Sequence, residues 1–430
     1  MDEPPRQVDA DDRVAAGRNI AVMALHSVML RCGWIFKTES VVMPAVVDLL
    51  SGGGGAAGWV RGMLPLLNRL GQSLPPLLAA DAVRRRPLKH RTLMLTSAGM
   101  MVTFLAIAGL WAGRSVMPRG WLIAGFLTLY AAFFACVGVN MLAFNTVQGK
   151  LIPVLRRGRL LGLSTVFGSA GAVSLAWWLM PRWLAWPGAT GFLPMFVTSA
   201  LFYGVGAACL LLLRETPDPP VAASSRHFLH DAAALWRTSA DFRVTALAAA
   251  LTAATMLMFP HYQWVGRELL GSGLDQLMLW VVVQSLAVGV LGPAAGWLGD
   301  HLGTRRAWQV LLVLSTLPPL AVGGMLWMAS HGHRQWAADH FWVIFALLGL
   351  TPVTARTVMN YTLELAPPAD HPKYVSTMQL AFAVPFVLSP LAGSVVRPGD
   401  GGAGVWTLIG IVVAGLAAAF ALTFRMRETR

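Results

Sequence analysis

A small set of ionisable side chains stands inside long apolar stretches of this 430-residue chain, and these are the groups that could do chemistry. Arg31, Lys37 and Glu39 fall in the first apolar segment, Arg61 and Arg69 in the second, and Arg356 and Glu364 in the tenth. A charge near the centre of a bilayer costs at least about 2.5–3.5 kcal/mol on insertion scales, so such groups face a water-filled cavity or a partner. Arg356, Asn360 and Glu364 follow the i, i+4, i+8 spacing of one helical face, and Arg61, Asn68, Arg69 and Gln72 form a second polar stripe. Arg31 and Glu39 share a broad face of their segment, while Lys37 points elsewhere and is expected to snorkel to an interface. His26, Asn140, His261 and Gln284 are uncharged polar candidates. Arginines outnumber acids in this set. A pocket holding Arg31 and Arg356 favours a carboxylate or phosphate, because a guanidinium binds either through two parallel hydrogen bonds. Glu39, Glu364 or His261 could exchange a proton where burial or a neighbour tunes it. The plainer alternative is that Arg31 and Arg356 pair with acids on adjacent helices and only hold the structure together.

The elements that must position these residues are membrane helices. The chain is 56% hydrophobic and 12% charged, about half the charged fraction of a soluble domain, with a mean hydropathy of +0.60. A hydrocarbon core of about 30 Å needs roughly 20 mostly apolar residues per crossing. Segments of that kind recur at 18–48, 57–80, 92–113, 120–149, 159–181, 191–213, 243–267, 276–299, 306–329, 338–364, 374–396 and 404–424. The expected fold is therefore an all-α membrane protein with twelve transmembrane helices. No polar stretch is long enough for a separate catalytic domain, no GxxxxGK[ST] phosphate loop is present, and HExxH and GxSxG are absent, so enzyme chemistry and a bound cofactor are not expected. Cys32, Cys136 and Cys209 lie in apolar segments without metal-ligand spacing and read as buried thiols. A metal site built from His26, Cys32 and His261 is a minor alternative. The acidic, polar N-terminus argues against a cleaved leader.

The net charge of +13 is explained by topology. With twelve crossings both termini share one side. That side collects Arg84, Arg85, Arg86, Lys89 and Arg91, then Lys150, Arg156, Arg157 and Arg159, then Arg214, Arg226, Arg237 and Arg243, then Arg305 and Arg306, and finally Arg425, Arg427 and Arg430. The opposite loops carry only Arg114, Arg119, Arg182, Arg267, Arg334 and Arg397. Excess Lys and Arg marks the cytoplasmic face, so both termini are expected in the cytoplasm of a bacterial inner membrane, and nucleic acid is not expected as a partner. Membrane lipids, a small solute and protons are, and the protein is expected to be monomeric.

The chain divides into a tail (1–17), a first six-helix half (18–213), a central loop (214–242), a second half (243–424) and a tail (425–430). In the loop Phe228, Leu229, Ala232, Leu235 and Trp236 share one helical face, which predicts a short helix on the membrane surface. The halves echo one another. Asn145, Gln148 and Pro153 precede Ser164-Thr165, and Asn360, Glu364 and Pro367 precede Ser376-Thr377, as expected of a six-plus-six duplication.

After the eighth segment the chain reads Gly296-Trp297-Leu298-Gly299-Asp300-His301-Leu302-Gly303-Thr304-Arg305-Arg306. This resembles the Gly-x-Leu-x-Asp-x-x-Gly-x-Arg-Arg signature of the major facilitator superfamily. The equivalent stretch after the second segment keeps Asp81 and the basic run Arg84-Arg85-Arg86 but lacks the glycines. A helix 5 antiporter signature is also missing, since Phe167-Gly168-Ser169-Ala170-Gly171 has no proline. The resemblance implies a latch between conformations at Gly296, Gly299, Asp300, Gly303, Arg305, Arg306 and Asp81. Its glycines would allow close helix packing, and Asp300 would pair with a positive charge or a helix N-terminus. It further implies a central cavity lined by helices 1, 4, 7 and 10, which carry Arg31, Asn140, His261 and Arg356. Arg69, Gln284 and Asn360 complete the expected substrate set, with Glu39 and Glu364 as proton carriers. The function so implied is a secondary transporter of a small solute, with anions favoured by the arginines. A drug or metabolite efflux pump and a non-transporting sensor or assembly protein of the same fold are the alternatives.

Overall fold

The computed structural model describes residues 10–53, 57–219, 228–367 and 370–428. With no water in the hydrocarbon layer to satisfy peptide groups, each apolar segment closes its hydrogen bonds internally as helix. Crossing 1 is Ala10–Trp34, continued by a 3₁₀ turn at Ile35–Lys37 and, after a break, by Val42–Ser51. Crossings 2 to 6 are Ala57–Arg85, Lys89–Ala112, Arg119–Leu151, Val154–Leu184 and Phe192–Cys209. Crossing 7 runs through Ala240–Ala253, Thr255–Met258, Tyr262–Trp264 and a π-helical turn at Val265–Leu269. Crossing 8 is Gln276–Leu302. Crossing 9 joins Thr304–Leu314, Leu317–Met328 and Arg334–Asp339, and crossing 10 joins Trp342–Leu348 and Leu350–Leu365. Crossing 11 joins His371–Val387 and Ser389–Val395, and crossing 12 is Ala403–Thr423.

Eleven of these stretches are long and apolar enough to cross a membrane. Crossing 2 falls short on hydropathy because Asn68, Arg69, Gln72 and three prolines dilute it, yet it is one 29-residue helix packed between its neighbours. Crossing 1 differs most from expectation: the stretch read as one helix over 18–48 is two helices with a non-helical joint at Thr38–Val41. Crossing 9 also extends further: after Met328 the chain kinks at His331 and Gly332, where Gly332 takes a φ of +90°, and a short helix follows at Arg334–Asp339.

Within the first half, crossing 2 packs on crossing 4, crossing 3 on crossings 4 and 6, and crossing 1 on crossings 5 and 6. Gly71 and Gly138 allow the 2–4 approach: a Cβ on Gly71 would stand 2.6 Å from Phe134 Cβ, and one on Gly138 would stand 2.9 Å from Gln72 Cα. In the second half crossing 7 packs on crossings 11 and 12, and crossing 8 on crossings 9 and 10. The halves meet along two seams, crossing 2 against crossing 11 and crossing 5 against crossing 8.

The central loop ties to both halves. The Glu215 side chain is fully buried and accepts from the Lys89 and His90 backbone amides, from His90 Nδ1 and from Lys150 Nζ. Asp218 pairs with Lys150 and Lys89, and its amide donates to the Pro87 carbonyl. The Lys150 ammonium holds the Asp218 carboxyl below its usual range. The helix expected on the membrane surface is present at Phe228–Thr238, but it packs against crossings 7 and 11 and buries Ala232 and Leu235 there. Its Phe228 and Leu229 side chains lie outside the described residues.

Candidate functional site

Arg31 and Arg356 come from opposite halves and lie within electrostatic reach of one another. Arg31 is partly buried. It donates to Ser169 Oγ at 2.9 Å and toward the Thr165 carbonyl at 3.4 Å, both on crossing 5. Gly168 makes room for it, since a Cβ there would stand 3.0 Å from Arg31 Cδ. Arg356 is exposed and, among the described residues, makes no ion pair or hydrogen bond; Asn360 lies one turn further on, also exposed. Neither arginine has an acidic partner among the described residues.

The acids near this level are committed elsewhere. Lys37 does not snorkel: it is fully buried, paired with Glu39, and its Nζ sits 3.1 Å from the Trp34 ring centroid and 4.3 Å from that of Phe134. The break in crossing 1 turns Lys37 inward and brings Glu39 to it rather than to Arg31, so this pair cancels its own charge.

A second constellation closes the end of the bundle opposite the termini, the distal end. Asp48 accepts from Arg61 Nη1 and, at 3.1 Å, from Gln263 Nε2. Arg61 Nε donates to His261 Nδ1 at 3.2 Å, and the Arg61 guanidinium lies 4.8 Å over the Trp264 ring. Arg61, His261 and Gln263 are completely buried. Asp48 and Arg61 belong to the first half, His261 and Gln263 to the second. Three further hydrogen bonds join the halves: Ser40 Oγ to Gln284 Oε1, and Arg69 Nη2 to the Gln379 carbonyl at 2.8 Å and to Gln379 Oε1, the Arg69 guanidinium standing 5.7 Å and 5.9 Å from the Phe382 and Phe386 ring centroids. All these links lie at mid-membrane or beyond it toward the distal end. There crossings 2 and 11 touch backbone to backbone: a Cβ on Gly62 would stand 2.7 Å from Pro390 Cα, and Gly58 and Gly393 each face the other's carbonyl.

At the end carrying the termini the halves stand apart. None of the hydrogen bonds described there crosses between them, and no atom lies within 4 Å of where a Cβ would stand on Gly158, Gly162, Gly292, Gly296 or Gly299. The structure is closed at the distal end and open at the other.

Sequence reasoning missed Asp48. It sits at the edge of the first apolar stretch and looks like a helix terminus; only the break after Lys37 carries it beside Arg61. The intramembrane placement of Arg61 and Gln263 was readable, but not their meeting.

The remaining candidates are placed as follows. Asn140 is buried inside the first half and donates to Ser97 Oγ, Thr96 Oγ1 and the Leu93 carbonyl. Glu364 lies near the open end, where it accepts from Thr304 Oγ1. His26 is bonded to the Gly206 carbonyl, and His26, Cys32 and His261 do not gather as a metal-ligand group among the described residues. Asp81 pairs with Arg84 and Arg85 on its own helix.

The latch differs from expectation. Gly296 and Gly299 mediate no close packing, and Gly303 serves the turn through its φ of +84°. Asp300 is exposed and has no hydrogen-bond or ion-pair partner among the described residues, while Arg305 and Arg306 reach Glu428 near the C-terminus. With the halves apart at this end, none of these residues bonds across the halves among the described residues. Asp300→Asn is therefore expected to leave this open state and its melting temperature unchanged, and to slow the opposite transition. Unaltered transport kinetics in the variant would reduce the loop to a turn.

No protein-family profile matches the chain. An uncharacterised protein of Mycobacterium tuberculosis and one of Mycobacterium bovis are each 29% identical over 210 residues, which is 46% of this chain and 38% of the relative, so the match spans well under half of the relatives' length. Solved structures match over nearly the whole chain. A D-xylose–proton symporter superimposes with a TM-score of 0.72 at 13% identity, covering 97% of this chain and 99% of that one. The nucleoside transporter NupG gives 0.71 at 12% identity, covering 94% and 99%. A bacterial homologue of the iron transporter ferroportin in its inward-facing state gives 0.67 at 13% identity, covering 95% and 98%. At these identities the likeness carries the fold, and with the helices and seams described above it makes the chain a multi-pass membrane protein of the major facilitator transporter fold.

Proposed function

We propose that this protein is a secondary transporter that carries a small anionic solute across the cytoplasmic membrane by rocking its two halves about a central site. The observation that supports the anion is the pair Arg31 and Arg356, which come from opposite halves, lie within electrostatic reach of one another and have no ion-pair partner among the described residues. Asn360 and Gln284 would supply further polar contacts to the solute. Alternating access is supported by the asymmetry of the bundle, bonded at the distal end and apart at the other. The basic loops lie at the end carrying the termini, so that end would face the cytoplasm, and the state described would be inward-open. The solved proteins of this fold include symporters for D-xylose with a proton and transporters of nucleosides, and coupling to protons is part of the proposal here.

The test is a binding and uptake screen. Purified protein is melted with small carboxylates, phosphate esters, neutral sugars and organic cations at two pH values, and hits are followed as uptake into proteoliposomes. An anion present at a hundredfold excess over its Kd would stabilise the protein by about 2.7 kcal/mol, a clear rise in melting temperature. Stabilisation and uptake confined to neutral or cationic solutes would end the anion reading.

A further inference from the structure

The distal network contains a histidine that the anion site does not use. Arg61 Nε can only donate, so the imidazole of His261 must accept at Nδ1 and carry its single proton on Nε2. The closed gate therefore needs a neutral His261. The charged groups at the ring are Arg61, bonded to it directly from crossing 2, and behind it Asp48 from the second helix of crossing 1, which also lies within electrostatic reach of Arg267 further along crossing 7. Crossings 11 and 12, which also pack on this stretch, bring no ionisable side chain to it. A guanidinium thus bonds a fully buried ring, and among the described residues no acid bonds to the ring itself. His261 Nε2 and Arg61 Nη2 are buried without hydrogen-bond partners among the described residues, and the one carboxylate at the site, Asp48, is already bonded to Arg61 and Gln263, so a further positive charge on the ring would lack a counterion.

We propose that His261 is the proton-binding residue of the distal gate, neutral when the gate is closed and protonated only when it is open. A proton from water on the distal side adds to the Nδ1 lone pair that had accepted from Arg61. That step removes the acceptor and sets an imidazolium against a guanidinium, and the gate then stays open until the proton leaves. The proposal rests on the alternating-access reading above and adds to it the residue through which acid acts.

The sign and window follow from linkage. A hydrated histidine in the open gate titrates near about 6.5. A closed gate that excludes the proton is fully favoured above that value and loses ground as pH falls below it, by about tenfold in the closed-to-open ratio between pH 7.5 and 5.5.

The experiment places a spin-label pair at Val116→Cys and His333→Cys, exposed distal positions in opposite halves, after replacement of Cys32, Cys136 and Cys209. Distances are measured at both pH values in the wild-type background and in His261→Gln. Glutamine can accept from Arg61 and cannot take the proton. Expected is a shift to long distances in acid that disappears in His261→Gln and persists when the exposed His331 and the partly buried His340 are replaced by glutamine. A second variant, His261→Asn, stands in if His261→Gln is not monodisperse. A wild-type distribution indifferent to pH, or an acid shift that survives in His261→Gln, overturns the assignment. If the distance also fails to lengthen in Gly62→Leu, alternating access itself falls; if it lengthens there but not in acid, only the role of His261 does.

Discussion

Gly62→Leu is expected to hold the distal end open and to bring transport to background. At Gly62 the crossing 2 backbone lies against Ser389 and Pro390 of crossing 11, and even a single methyl group would stand 2.7 Å from Pro390 Cα. A flexible side chain can move aside from an intruding methyl; a helix backbone cannot. Overpacking of this kind costs about 1–3 kcal/mol, and here the cost falls on the closed state alone, because the open state separates the two helices. The closed-to-open ratio should drop about 5- to 150-fold. The Val116/His333 label pair reads the shift directly, and uptake into proteoliposomes reads its consequence. Gly393→Leu, on the other helix of the same contact, should behave alike. A variant with the wild-type distance distribution and normal uptake would show that crossings 2 and 11 do not separate at this level during the cycle.

Arg356→Ala is the second large effect. Removing a side chain that makes a charge-assisted hydrogen bond to a bound anion costs about 1.5–3 kcal/mol, or roughly 10- to 150-fold in affinity. Because Arg356 has no ion-pair or hydrogen-bond partner among the described residues, the variant should remain monodisperse with an unchanged melting temperature and lose affinity for the anion. Arg356→Lys keeps the charge but not the planar fork, so it should weaken binding by less. Arg31→Ala should weaken binding too and also cost some stability, since Arg31 joins crossing 1 to Ser169 and Thr165 of crossing 5. Calorimetric titration with the best anion from the screen separates the effects. Undiminished affinity in both alanine variants would remove the anion site, and collapse of the Arg356→Ala protein would return that residue to a structural role.

The sequence by itself determined the crossings, the two halves and the general placement of the charges. Hydrocarbon imposes that result: a segment of about 20 apolar residues has one stable state in a bilayer, a helix, whatever its neighbours do. Arg31 and Arg356 stood out for the same reason, since a charge in an apolar run is legible one residue at a time. Crossing 2 was legible despite its diluted hydropathy because regular apolar segments bracket it on both sides. What only the tertiary structure decided are the pairings between helices. Lys37 faces Glu39 and an aromatic box because crossing 1 breaks at Thr38–Val41, and no proline or glycine in that stretch announces the break. Asp48 meets Arg61, Gln263 and His261 because that same break, together with the unwinding of crossing 7 around Pro260, brings three helices from two halves to one point. Gly62 and Gly393 are two unremarkable glycines until the backbones touch. Helix formation is local and is written in composition, whereas the partners of a buried charge depend on which of several apolar faces pack together, and apolar faces look alike in sequence.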